Sequence, residues 1–316
     1  LADVQRAAQR VRDVMPASRI VRDDTLSAAM GTDVYFKCEL ENPTGSFKIR
    51  GAYNVLACMT ADERKRGVVA SSAGNHGLGV AYAANAFEAP AMIYVPSSAP
   101  QIKKDGIRAL GATVNDSAPD YDAAMVLAQA HAATHHIPFI NPCLGRELLA
   151  GQGTVALEIL EQVPTVRTVV ICVGGGGLLG GMGAVLRSAA PTVRIVGAQS
   201  TETAAMTKSL AAHRVVEIPY TPTLADGLAG QIDDDALYIG ERCVDEMVVV
   251  TEAQIGETIA WLYRTHGWVV EGAGAVTVAA LRHKRICAVT GPVVLTVSGR
   301  NIDATRHQGL LTAHPV

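Results

Sequence analysis

The sequence predicts an α/β protein built on a doubly wound, parallel sheet. Short β-rich runs alternate with Ala-rich helical stretches, and two of the runs, "TVVICV" and "PVVLTVS", are apolar throughout, as strands covered on both faces are. Four of the runs are followed by stretches rich in Gly, Ser and Asn. In such sheets ligands bind beyond the carboxyl ends of the strands, so those four stretches are where a site is sought.

Taken in order, the opening "LADVQRAAQRV" has the pattern of an amphipathic helix and not of a signal peptide. Strand-then-helix pairs follow: "DVYFKCEL" before "FKIRGAYNVLACM", "GVVASS" before "HGLGVAYAANAF", "AMIYVP" before "QIKKDGIRALG", "TVVICV" before "LLGGMGAVLRSAA", and "RIVGAQ" before "TAAMTKSLAAH". A last strand, "PVVLTVS", ends in "SGRNID". No repeat or low-complexity segment interrupts the series.

Composition narrows the function classes. A chain of 316 residues makes one large domain or two modest ones, and 49% hydrophobic residues with 30 glycines belong to an ordered enzyme rather than a disordered chain. A net charge of -3 offers no clustered Lys and Arg for nucleic acid or an anionic membrane, so a small-molecule partner is expected. No apolar stretch reaches the length of a membrane-spanning helix. Six cysteines without a CxxC pair, several of them inside apolar runs, read as buried, reduced thiols, which suits the cytoplasm.

The strand-ends carry the chemistry. In "VGGGGLLGG", Gly175, Gly177 and Gly180 match the dinucleotide fingerprint, which alone is a weak signal. A nicotinamide site wants an acidic residue at the end of the next strand, where this chain has Gln199. Consecutive glycines instead leave backbone N–H groups free to surround one compact phosphate at a helix start; the structural alternative is a tight strand-to-helix turn. In "NPTGSFKIRGA", Lys48 sits in a turn between Phe47 and Ile49. A surface lysine is the commoner case, but a lysine held among apolar groups loses hydration of its charged form, which lowers its pKa and lets the amine attack an aldehyde. Such a lysine with a lone phosphate cradle suggests pyridoxal phosphate. "SSAGNHG" offers Ser71, Ser72, Asn75 and His76 with a loop of N–H groups suited to a substrate carboxylate, although the same string could cap a helix and His76 could be structural.

These four motifs, in this order and across nearly the whole chain, resemble the fold-type II pyridoxal-phosphate enzymes of the serine/threonine dehydratase and serine racemase group. The resemblance implies the tryptophan-synthase-β-like fold: two doubly wound α/β domains with the cofactor in the cleft, a large one from residues 1–51 and 146–316 and a small substrate-gripping one from 52–145. It implies that Lys48 carries the cofactor as an internal aldimine, with Phe47 beside it. Asn75 contacts the 3-hydroxyl, Gly174, Gly175, Gly176, Gly177 and Leu178 hold the phosphate, and Ser298 faces the pyridine nitrogen. Ser71, Ser72, Asn75 and His76 are the implied substrate contacts, and Lys48, Ser72 and Ala73 the positions that govern the reaction. The implied chemistry is dehydration of a 3-hydroxy-L-amino acid, L-threonine or L-serine first, to a 2-oxo acid and ammonia.

Within the group, racemases carry a serine where this chain has Ala73, so dehydration is expected over racemisation. Some relatives bind a divalent cation through a Glu and an Asp where this chain has Gln199 and Ala205, so no metal is expected, with Glu202 the one nearby substitute. Feedback control by an appended domain is not expected, since the chain ends shortly after Asp303. "STETAAMTKSLAAH", "TLADGLAG" and "VVEGAGAV" are also similar to hydroxyectoine-utilisation and phenylserine dehydratases, which leaves a bulkier substrate (phenylserine, hydroxyaspartate or a hydroxyectoine-derived amino acid) as the alternative. Asp226 and Glu271 are either site neighbours or structural caps and ion-pair partners. A homodimer is implied by the resemblance alone. The competing classes are a nicotinamide oxidoreductase and a non-catalytic cofactor-binding homologue.

Overall fold

A computed structural model describes residues 1–315 and contains two sheets. The larger has six strands: β1 (Ile20–Arg22), β2 (Val34–Cys38), β6 (Thr168–Cys172), β7 (Arg194–Ser200), β8 (Glu246–Val250) and β9 (Val293–Val297), in the order β1-β2-β9-β6-β7-β8. Only the β1–β2 pair is antiparallel. The smaller sheet is parallel, with β3 (Val68–Ser71), β4 (Ala91–Pro96) and β5 (Thr113–Ala118) in that order. Every strand expected from the sequence forms. β6 and β9, the two apolar runs, lie side by side in the middle of the large sheet with every residue buried, as two-sided coverage requires. The sequence reading missed β1, β5 and β8. β1 has three residues, and β5, at the edge of its sheet, is "TVNDSA", too polar to announce a strand.

Helices flank both sheets. In the first part of the chain they are α1 (Ala2–Arg12), α2 (Asp24–Met30), α3 (Lys48–Cys58), α4 (Ala61–Arg66), α5 (Asn75–Ala86), α6 (Gln101–Ala109) and α7 (Tyr121–His135). In the second they are α8 (Arg146–Gln162), α9 (Gly177–Ala189), α10 (Ala205–Ala212), α11 (Asp234–Cys243), α12 (Glu252–His266), α13 (Gly272–Arg282) and α14 (Ala304–Ala313). None is long and apolar enough to cross a membrane.

One hydrophobic cluster surrounds the large sheet, and a second joins the small sheet to Val11 and Met15 of the N-terminal segment and Ile49 and Leu56 of α3. Helix α3 is therefore the joint between the two sheets, packing on both α5 and α8, and the residue 51/52 boundary falls inside it. Its contact with α8 is backbone to backbone: a Cβ on Gly151 would lie 2.5 Å from the Arg50 carbonyl oxygen, so only glycine fits there.

Directly beneath the start of α3 lies a fully buried charge cluster. Arg50 bonds Glu39 (2.7 and 2.9 Å) and Glu158 (2.6 and 2.8 Å), and Lys37 Nζ bonds Glu158 at 2.6 Å. Two cations face two anions, so the cluster is neutral and each charge has an opposite neighbour, the condition under which buried ions are tolerated.

Candidate active site

Lys48 opens α3 instead of sitting in a turn. Its neighbours hold it in place: Ile49 is fully buried, Phe47 nearly so, and burying side chains of this size contributes about 1.5–3 kcal/mol each. The ammonium lies 5.3 Å from the Phe47 ring centroid and donates to the Pro142 carbonyl at 2.7 Å. The Phe47 N–H donates to the Ser298 carbonyl (3.1 Å), and Ser46 forms a β-bridge with Gly299, so the loop before α3 is stitched to the end of β9.

The glycine run packs on Cys143, the residue after the Pro142 that Lys48 contacts. Gly176, with φ of +85°, caps α9 in the left-handed region that glycine adopts without strain. A Cβ on Gly175 would lie 2.6 Å from Cys143 Sγ, and one on Gly177 would lie 2.9 Å from the Cys143 carbonyl oxygen. Cys143 thus backs the run while its neighbour Pro142 receives Lys48. Leu178, the next residue of α9, is buried. Cys172, last in β6, feels Ser298, Glu271 and Lys48 together; burial first pushes its thiol up to about 11, and the Ser298 hydrogen bond opposes that rise.

The third element is the end of β3. Ser71 is buried and its hydroxyl has no protein hydrogen-bond partner among the described residues; the same holds for the Ser46 hydroxyl. Ser72 Oγ accepts the Gly74 N–H at 3.1 Å, which shapes the loop around Ala73. Asn75, first in α5, donates to Glu271 (2.7 Å) and accepts from Asn301 (2.6 Å). His76 departs from the expectation of a substrate contact. Its ring is buried with Nε2 on the Ile140 carbonyl at 3.0 Å, and burial followed by the charge of Lys48 pushes it down to about 3, so it is a neutral brace.

Glu271 and Asp226 part company. Asp226 is half-exposed and pairs with Lys103 of α6 at 3.6 Å. Glu271 is buried, and burial, then the charge of Asp226, push it up to about 7 against the hydrogen bonds from Asn75 and Asn301 and the charge of Lys103. Gln199 is spent on structure. Its amide donates to the carbonyls of Val173 (3.1 Å) and Thr203 (2.7 Å) and accepts from the N–H and hydroxyl of Thr207, bracing the β7–α10 turn. Ala205 begins α10, and Glu202 lies in the short turn that follows β7.

Lysine, glycine cradle, the Asn75 loop and Ser298 thus meet at the carboxyl ends of β2, β3, β6 and β9. A run of free N–H groups at a helix start, backed so closely that only glycine fits, takes a phosphate, and buried hydroxyls without protein partners suit a polar ligand. These residues fit pyridoxal phosphate. Residues 13–299 match the family described as "Pyridoxal-phosphate dependent enzyme". The chain belongs to that family. It is 41% identical to an L-threonine ammonia-lyase of Thermotoga maritima over 309 residues, covering 96% of this chain and 76% of that protein. Among solved structures it is similar to maize serine racemase (TM-score 0.93, 29% identity, 99% of this chain and 97% of that one). It is also similar to the processed threonine deaminase isoform 2 of Solanum lycopersicum (TM-score 0.92, 31% identity, 99% and 86%). Family membership overturns the nicotinamide reading, to which Gly175, Gly177 and Gly180 lent only a letter match.

Sequence reasoning did not single out Asn301, Pro142, Cys143 or Lys103. Asn301 lay inside "SGRN", a motif already noted, and its amide was the available signal. Pro142 and Cys143 act through a carbonyl and through packing, which no residue type announces.

Proposed function

We propose that the protein is a dehydratase (ammonia-lyase) of a 3-hydroxy-L-amino acid, L-threonine or L-serine, releasing a 2-oxo acid and ammonia by α,β-elimination. The observation that carries the reading is Lys48 at the head of α3, fixed between the glycine cradle and the β9 end, in a chain 41% identical to an L-threonine ammonia-lyase. Bound pyridoxal phosphate supplies the electron sink that acidifies the substrate's α-C–H.

The chain's own residues do the rest in this reading. The N–H groups of Gly174 to Leu178 would hold the phosphate, and Asn75 would donate to the 3-oxygen. Ser298 would offer the ring nitrogen a hydroxyl, which can hydrogen-bond without the negative charge that would keep that nitrogen protonated. Ser71, Ser72 and the loop N–H groups hold the substrate carboxylate. Lys48, which would hold the cofactor, would also be placed to accept the substrate's α-proton as the general base. Ala73 has no hydroxyl to return a proton from the opposite face, which supports elimination over racemisation. The division into 1–51 with 146–316 and 52–145 belongs to the same reading; the separate three-stranded sheet supports it, with α3 shared between the parts. We further infer a cytoplasmic homodimer. Six free cysteines among the described residues support a reducing compartment, although Cys58 and Cys287 are exposed and not buried as expected, and light scattering tests the assembly.

The test is a visible spectrum of the purified protein, then addition of L-threonine, L-serine and L-threo-phenylserine with assay of 2-oxo acid and ammonia. A cofactor band near roughly 410–420 nm, lost in Lys48→Ala, with oxo acid formed from threonine or serine, is expected. Turnover of phenylserine alone would move the substrate to the bulkier class, and a band unaffected by Lys48→Ala would sink the assignment of the lysine.

A further inference from the structure

Asn75, Glu271 and Asn301 come from three separate segments and close a ring of hydrogen bonds. Asn75 Nδ2 donates to Glu271 Oε1 (2.7 Å), Asn301 Nδ2 donates to Asn75 Oδ1 (2.6 Å), and the Asn301 backbone N–H donates to Glu271 Oε2 (3.1 Å). The ring is anchored on both sides. Asn301 Nδ2 also donates to the Thr44 carbonyl (2.8 Å), four residues before Lys48, and the Glu271 backbone N–H donates to the Gly299 carbonyl (3.2 Å).

We propose that Glu271 and Asn301 are positioning residues that fix the orientation of the Asn75 amide and thereby aim its second N–H at the cofactor. This rests on the reading of Asn75 as a cofactor contact. The chemistry of the three groups dictates the arrangement. An ionised carboxylate only accepts, so it takes an N–H of Asn75, and the Asn301 amide nitrogen only donates, so it takes the Asn75 oxygen. Rotating the Asn75 amide by half a turn would set oxygen against carboxylate and nitrogen against nitrogen, losing both bonds at once. One Nδ2 hydrogen is used on Glu271; the other is left with a fixed direction. Nothing on Asn75 itself holds this direction, so the two partners decide it.

The ring is also linked to a proton. Glu271 is buried, and the charged and titratable groups around it are Asp226 from the turn before α11, Lys103 of α6, paired with Asp226 at 3.6 Å, and Cys172 of β6. Burial and Asp226 oppose its ionised form, and Lys103 favours it. Protonation removes an acceptor from the ring and puts a donor beside the Asn75 amide, so the hold on Asn75 slackens as Glu271 takes up a proton.

The experiment follows release of pyridoxal phosphate from dialysed holoenzyme at about pH 6 and about pH 8.5, either side of neutrality, together with the melting temperature of each protein. Wild type is expected to retain cofactor better at the higher pH. Glu271→Gln, nearly isosteric and without a titrating proton, is expected to lose that pH dependence. Asn301→Asp, which turns an acceptor toward the Asn75 oxygen, is expected to weaken cofactor retention about tenfold, the effect of one misdirected bond worth about 1.4 kcal/mol. Asn75→Ala separates the two readings. Wild-type retention in Asn75→Ala overturns the assignment of Asn75 and the proposal with it. Weakened retention in Asn75→Ala, with Glu271→Gln and Asn301→Asp both behaving as wild type at the two pH values, overturns the proposal alone.

Discussion

Replacing Glu158 by glutamine probes the charge cluster that seats α3. The side chain keeps its size but loses its charge, so Lys37 and Arg50 are left with Glu39 as their one anionic partner, and a net positive charge is buried where side-chain exposure is 0% for both cations. Breaking a buried pair by removing one partner costs about 3–5 kcal/mol. Unfolding entropy of roughly 2.1 cal/mol/K per residue, taken over 316 residues, converts this to a fall of about 5–8 °C in melting temperature. The same reasoning gives the remedy. Lys37→Met removes the surplus cation, so the double variant Lys37→Met/Glu158→Gln should recover much of the loss. Burial already lowers the Lys37 pKa, and losing its anion lowers it further. The unfolded chain then binds more protons than the folded one below the ordinary lysine range, so stability rises with pH and the deficit of Glu158→Gln narrows in alkali. Calorimetry of the two variants and the wild type at neutral and alkaline pH measures all of this. A Glu158→Gln protein that melts with the wild type, or a double variant no more stable than the single one, would refute the reasoning.

Three further outcomes follow from the site. Gly177→Ala puts a methyl group 2.9 Å from the Cys143 carbonyl oxygen, a backbone atom that cannot swing aside, so cofactor affinity measured by titration should fall at least about tenfold, the effect of roughly 1.4 kcal/mol. In the proposed reading Ala73→Ser would supply a hydroxyl on the face opposite Lys48, and chiral chromatography should then detect D-serine formed from L-serine; its absence would show that position 73 does not set the outcome. Glu271, an acid whose folded pKa is raised to about 7, contributes stability that is full below its unfolded value and declines as pH rises through the folded one. Glu271→Gln should therefore be the more stable protein at pH 8, by up to about 3 kcal/mol, and equal to wild type near pH 4; equal stability at both would mean that the carboxylate is not strained by burial.

Much of the fold was legible because its signals are local. A buried central strand must be apolar throughout, as "TVVICV" and "PVVLTVS" are, and a phosphate cradle at a helix start must expose N–H groups, as a glycine run does. His76 stayed ambiguous for the complementary reason: an imidazole in a site motif has the same letter whether it faces a ligand or braces the Ile140 carbonyl. β1 and β5 escaped because short or edge strands need little apolar patterning.

The sequence by itself determined the α/β class and the cofactor, and it singled out Lys48 and the glycine run as the groups to examine, since each rests on a residue type whose chemistry has few substitutes. Tertiary structure alone decided that β9, last in the chain, pairs between β2 and β6 and so brings Ser298 and Asn301 beside Lys48. It alone decided that Glu271, not Asp226, is the buried carboxylate beside Asn75. The physical reason is range: propensity and patterning act over a few neighbours, whereas strand order, burial and the charge a carboxylate can keep depend on groups as many as 257 residues apart.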